Sequence, residues 1–142
     1  MTAPETCPVI DPIPLFLSAS ADMSKILVVD DEQNTLLLFK RELTDDGYIV
    51  ITASNGREAL TYFRSEHPDL VILDVRMPGM DGIDTMARIL SIDRHVPVVL
   101  MSAYSYYRDN FLSWVASAYI EKSSDLIPVR STIRNLLLSQ RA

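Results

Sequence analysis

Asp69-Leu70-Val71-Ile72-Leu73-Asp74-Val75-Arg76-Met77-Pro78-Gly79-Met80-Asp81-Gly82 sets the architecture of this chain. Leu70 to Leu73 are apolar without a break and run straight into a carboxylate. An unbroken apolar run this short reads as a buried strand. Met77-Pro78-Gly79 then forces a turn, and Asp81 can cap a following helix. The stretch therefore reads strand, acid, turn, helix.

The same grammar recurs. Lys25-Ile26-Leu27-Val28-Val29 leads into Asp30-Asp31-Glu32, a run ending at Met101 leads into Ser102-Ala103, and Ala118-Tyr119-Ile120-Glu121 leads into Lys122. In a parallel sheet with helical crossovers, all four strand ends lie on one edge. Three carboxylates, a hydroxyl and an ammonium then face a common crevice. Taken singly, Asp30-Asp31 would pass for acids at a helix start, and Lys122 for a surface lysine. Their joint placement argues otherwise. Clustered acids either raise a pKa or recruit a cation. Oxygen-only ligands suit Mg²⁺ or Mn²⁺. One Cys and two His among 142 residues do not make a zinc site.

Between these strands the apolar spacing turns helical. A strand over 25–30 is followed by a helix over 32–46, with Leu36, Phe39 and Leu43 on one face and Gly47 as its stop. Residues 48–52 form the second strand. Asn55 caps the second helix with Glu58 at capping-box spacing. Ala59, Leu60 and Phe63 are its buried face, and His67-Pro68 ends it. After Asp81 the stripe is Ile83, Met86, Ala87 and Leu90. A fourth strand covers 96–101. A helix over 105–116 has a poorer pattern, crowded with Tyr104, Tyr106, Tyr107, Phe111 and Trp114. The fifth strand is 118–121. A final helix over 125–140 turns Ile127, Val129, Ile133, Leu136 and Leu137 inward. Five strand-helix repeats predict an open α/β sheet of order 2-1-3-4-5 with helices on both faces.

Composition narrows the function. An apolar fraction of 48% with 23% charged residues is that of a globular domain with a real core. A net charge of −6 disfavours direct nucleic-acid binding. The lone Cys7 cannot form an internal disulfide, which fits a reducing compartment. No apolar run is long enough to span a bilayer. Residues 1–24 hold four of the eight prolines and no Lys or Arg. They are expected to be an extended tail ahead of a domain over 25–140, docked at most through Leu15, Phe16 and Leu17. Met23 would also serve as a natural first residue.

Residues 25–140 resemble a response-regulator receiver domain of bacterial two-component signalling, of a stand-alone type. The resemblance rests on Ile26 to Glu32, Asn55-Gly56-Arg57-Glu58-Ala59-Leu60, Asp69 to Asp74, Met77 to Gly82, Met101 to Tyr104, and Tyr119 to Lys122. It implies a flavodoxin-like doubly wound five-stranded sheet. It also implies roles. Asp74 corresponds to the phospho-accepting aspartate. Asp31 is the direct metal ligand and Asp30 the acid that helps hold the ion. Asp74 and the Arg76 backbone carbonyl complete the metal set. Ser102 hydrogen-bonds the phosphoryl group, Lys122 pairs with it, and Tyr119 is the aromatic switch.

The resemblance thus implies a module that takes a phosphoryl group from a histidine kinase or phosphotransferase and switches a protein-binding surface. It would be no enzyme beyond its own phosphorylation and slow dephosphorylation. Its expected setting is the cytoplasm, with an output protein as partner or a homodimer through residues 104–120 and the final helix, and no nucleic acid or membrane. Two departures from the family pattern stand out. Ser123-Ser124 follow Lys122 where the family usually has proline. The segment from Ser102 to Lys122 is about two residues short. They motivate an alternative, a receiver-fold binding module that works without phosphorylation. A haloacid-dehalogenase type phosphatase is disfavoured, because its second acid would fall at Arg76.

Overall fold

The computed structural model describes residues 24–77, 79–103, 116–123 and 125–141. Residues 1–23 of the predicted tail over 1–24, and nearly all of the predicted helix over 105–116 with its aromatic residues, lie outside the described residues. Ser24, the last residue of that tail, is the first residue described. It is buried, and its carbonyl accepts from the Ile49 N–H at 2.9 Å.

The strands are β1 (Lys25–Val29), β2 (Ile49–Ala53), β3 (Leu70–Asp74), β4 (Val98–Ser102) and β5 (Ala118–Glu121). The helices are α1 (Gln33–Asp45), α2 (Gly56–Glu66), α3 (Gly82–Ile92) and α4 (Ile127–Arg141). The strands form one parallel sheet of order β2-β1-β3-β4-β5, as the sequence predicts. Register places Val29 opposite Leu73, Asp74 opposite Met101, and Ser102 opposite Glu121. The carboxyl ends of the strands are therefore level with one another.

Alternate residues of the central strands feed two cores. Leu27, Val29, Val71, Leu73, Val98 and Leu100 pack beneath α2 and α3. Ile26, Val28, Leu70, Ile72, Val99 and Met101 pack beneath α1 and α4. Burial on both faces is why these strands read as continuous apolar runs. Ile72 is fully enclosed, so truncation to Ala is expected to cost about 2–5 kcal/mol.

The helices start and stop where their caps dictate. Asn55 Oδ1 accepts from the Glu58 N–H at 2.8 Å. Glu58 reaches back to the Ser54 N–H, one residue before the cap, rather than to Asn55 itself. Asp81 Oδ1 accepts from the Asp84 N–H at 2.8 Å. Gly47 at φ 100° ends α1, and His67 at φ 50° ends α2 in the left-handed region. Arg130 on α4 forms two side-chain hydrogen bonds with Asp46, just past the end of α1, and so ties the two helices together.

Three local expectations are corrected. In α3 the buried face is Gly82, Ile83, Thr85, Met86 and Ile89, whereas Ala87 is exposed. The helix is rotated because its Thr85 side packs against Gly56 of α2. The hydroxyl of Thr85 can be buried because it donates to the Asp81 carbonyl at 2.8 Å. Ile127 is 67% exposed, because α4 begins at that residue and its inward stripe runs through Val129, Ile133 and Leu137. The fourth strand begins at Val98 and includes Ser102, two residues later than Val96 and Pro97 suggested.

Candidate functional site

Each strand-end residue is fixed by the sheet ladder continuing past the strand. Asp30 donates its N–H to the Ala53 carbonyl at 3.1 Å. Val75, next to Asp74, donates to the Met101 carbonyl at 2.8 Å. Lys122 donates to the Ser102 carbonyl at 2.7 Å. The side chains at these positions thus project from a rigid edge rather than from free loops.

They converge. One carboxylate oxygen from each of Asp30, Asp31 and Asp74 lies within 4.8 Å of the others. Asp30 and Asp74 are buried and Asp31 is exposed. Lys122 Nζ stands 2.8 Å from Asp30 Oδ2 and 3.2 Å from Asp74 Oδ2, so one ammonium bridges two buried acids. Asp30 Oδ1 accepts from the Glu32 N–H at 2.9 Å, and Asp74 Oδ1 from the Arg76 N–H at 3.3 Å. Asp30 Oδ2 is fully enclosed and has no well-directed hydrogen-bond donor among the described residues; the Lys122 ion pair is what it has. Ser102 is buried at the end of β4 beside Lys122.

The electrostatics follow from the crowding. Burial, reinforced by the neighbouring charge of Asp30, pushes the Asp74 carboxyl up to about 6 from 3.8, against the pull of Lys122 and the Arg76 N–H. Burial works to lower the Lys122 ammonium, but the close Asp30 contact and the charges of the two acids outweigh it and leave it raised. One ammonium against three carboxylates leaves the pocket short of positive charge. The under-coordinated Asp30 oxygen, the clustered acids and the all-oxygen donor set fit a hard divalent cation. Asp30, Asp31 and Asp74 are the residues that would hold it.

Sequence reasoning gave no role to Gly82. A Cβ there would lie 2.1 Å from the Asp74 carbonyl oxygen, and its N–H donates to the Val75 carbonyl at 2.8 Å. Gly82 therefore lets the turn after β3 fold directly back onto the Asp74 backbone. The turn signal before it predicted a bend but not this close approach. At the position after Lys122, where the resemblance predicts proline, Ser123 Oγ accepts from the Asp125 N–H at 2.9 Å, and Asp125 Oδ1 accepts from the Ile127 N–H at 3.0 Å. A chain of small polar turns thus leads from Lys122 into α4. Tyr119 is not in the acid pocket. It lies opposite Leu100 in register and packs partly buried against the α2/α3 core.

The model of the response regulator receiver domain family matches residues 26–134. The chain belongs to this family. Sporulation initiation phosphotransferase F of Bacillus subtilis is 42% identical to it over 80 residues, covering 56% of this chain and 64% of that protein. The receiver chain spans less than two thirds of the length of the curated relatives it matches first. Among solved structures, the response regulator TrrA of Thermotoga maritima in complex with Mg²⁺-BeF is 42% identical, with a TM-score of 0.78 over 80% of this chain and 99% of that one. TrrA in complex with the histidine kinase ThkA is 43% identical, with a TM-score of 0.76 over 81% of this chain and 99% of that one. Among the described residues of this receiver, no helix is long and apolar enough to cross a membrane.

Proposed function

We propose that this receiver accepts a phosphoryl group on Asp74 from a histidine kinase or phosphotransferase and thereby switches a protein-binding surface. The observation that carries the reading is the Lys122 ammonium bridging Asp30 Oδ2 and Asp74 Oδ2, with Asp31 completing the acid cluster. One relative, TrrA, solved both with a histidine kinase and with Mg²⁺-BeF, supports it.

An Asp74 carboxylate oxygen attacks phosphorus, and the bond from phosphorus to the donor's leaving atom breaks, that atom keeping the electron pair. The attacking group must be ionised, and Lys122 favours ionisation against the burial that opposes it. Lys122 then balances charge on the transferred oxygens, and Ser102 offers a hydroxyl to one of them. A bound Mg²⁺, or Mn²⁺ in its place, would neutralise the remaining charge, held by Asp30, Asp31, Asp74 and the Arg76 carbonyl. Tyr119 serves as the switch, turning when the Ser102 hydroxyl is drawn toward the phosphoryl group. The output face is residues 104–120 with α4, used for an output protein or a second copy. The protein acts in the cytoplasm and turns over no substrate beyond its own phosphorylation and slow dephosphorylation.

Phosphate-affinity electrophoresis after incubation with phosphoramidate and Mg²⁺ tests the assignment. Wild type is expected to shift as a single hydroxylamine-labile species, and Asp74→Asn is expected not to. A shift that survives in Asp74→Asn overturns the assignment of the acceptor.

A further inference from the structure

We propose that Arg57 is a specificity residue that recognises a carboxylate group on the phosphodonor; the inference rests on the phospho-accepting reading above. Arg57 is the second residue of α2, where unpaired backbone N–H groups already make the helix end positive. A cation there is locally unfavourable. The adjacent acid forms no ion pair with it: Glu58 Oε1 accepts from the Ser54 N–H at 2.8 Å and the Ser54 hydroxyl at 3.2 Å. Among the described residues the exposed Arg57 guanidinium has no ion pair or hydrogen bond.

Its position supplies the reason. Arg57 lines a cleft of about 490 Å³ whose other described walls are Asp31, Ser54, Asn55, Gly56, Gly79 and Met80. Asp31 is shared with the acid cluster, so the cleft opens onto the site of phosphoryl transfer. Gly56 and Gly79 add no side chain to this lining, and nothing lies within 4 Å of where a Cβ on Gly79 would stand. Lys122 is committed to Asp30 and Asp74. Arg57 is therefore the uncommitted cation among the cleft's described residues. Its planar fork matches a carboxylate, which is the leaving group of an acyl phosphate. In that transfer Asp74 attacks phosphorus, the phosphorus–oxygen bond breaks, and a carboxylate departs with the electron pair beside Arg57. With phosphoramidate the phosphorus–nitrogen bond breaks and neutral ammonia departs, giving Arg57 nothing to hold. An acidic side chain flanking a phosphohistidine would present the same group from a protein donor.

The test compares initial phosphorylation rates from acetyl phosphate and from phosphoramidate, in Mg²⁺, for wild type, Arg57→Ala, Arg57→Lys and Arg64→Ala. Arg57→Ala is expected to slow the acetyl phosphate reaction by roughly two- to fivefold, the range an exposed ion pair supplies. Its phosphoramidate rate is expected to be unchanged. Arg57→Lys is expected to restore only part of the loss. Arg64→Ala, the same charge change on an exposed residue of the same helix, is expected to alter neither rate. Equal slowing with both donors, or the same effect from Arg64→Ala, overturns the proposal in favour of a general field effect. Failure of every variant and of wild type to label with either donor sinks the phospho-accepting reading instead. If Arg57→Ala lowers the acetyl phosphate rate alone but does not affect transfer from a phosphohistidine peptide flanked by Glu, the recognised carboxylate is that of the small donor.

Discussion

Asp74→Asn is expected to stabilise the metal-free protein while abolishing its phosphorylation. The carboxyl of Asp74 is raised from 3.8 to about 6, first by burial and then by the charge of Asp30. As pH rises through the unfolded value near 3.8, the unfolded chain loses this proton while the folded chain keeps it. The folded state then binds more protons, so stability falls with pH across the window from 3.8 to about 6. Above it the loss is complete. Two pKa units correspond to about 3 kcal/mol, an upper figure because Asp30 and Lys122 readjust when Asp74 ionises. Asparagine has the same shape, carries no charge at any of these pH values, and can keep an oxygen toward Lys122.

In EDTA at pH 7.5 the variant is expected to be more stable than wild type by about 1–3 kcal/mol, or some 3–10 °C in Tm. The difference is expected to shrink toward zero near pH 4. Saturating Mg²⁺ is expected to narrow or reverse it, because the ion stabilises only the protein that binds it. Paired urea titrations at pH 4.5, 6 and 7.5, each with EDTA and with Mg²⁺, read all of this at once. Contributions of carboxylates distant from Asp74 cancel between the two proteins. An Asn variant less stable than wild type in EDTA at pH 7.5, or a difference independent of pH, refutes the reasoning.

Removing Lys122 leaves Asp30 and Asp74 buried side by side. Lys122→Ala is expected to cost about 3–5 kcal/mol in EDTA at neutral pH, with part recovered on adding Mg²⁺ or lowering the pH, as followed by thermal melts. Gly82→Ala is expected to destabilise by about 1–3 kcal/mol and to weaken Mg²⁺ binding, because the new methyl meets the immobile Asp74 backbone. Denaturant unfolding and calorimetric titration report the two effects. Asp31 is exposed, so Asp31→Asn is expected to alter stability by less than about 0.5 kcal/mol. Its Mg²⁺ affinity is nonetheless expected to fall; unchanged affinity by calorimetry would remove Asp31 from the metal set.

The fold was legible because burial on both faces leaves a plain mark. Leu70 to Leu73 and Ile26 to Val29 admit no polar residue, and each ends in a group that water or a ligand must satisfy. The order 2-1-3-4-5 then followed from the doubly wound arrangement that such strand-helix alternation takes, with right-handed crossovers. Less legible was the rotation of α3. Ala87 is apolar enough to fit a buried stripe, and Thr85 polar enough to fit a solvated one, yet their places are exchanged. What decides it is contact with Gly56, about thirty positions away in sequence, together with a hydroxyl bonded to its own helix start. Neither is encoded in local periodicity.

The acid site was legible for a different reason. Two adjacent acids, a third at another strand end and a lysine at a fifth have no structural advantage in that arrangement. Lys122 offsets the repulsion between Asp30 and Asp74 only in part, since Asp74 remains raised. A sequence selected for stability alone would carry an amide or an apolar residue at one of these positions. Residues that oppose stability are therefore the ones whose function sequence can show, because nothing local explains them. Gly82 is the converse case. Its bare backbone serves folding and the site together, so a turn sufficed to explain it, and only the clash that an added Cβ would make with the Asp74 carbonyl oxygen ties Gly82 to the position of Asp74.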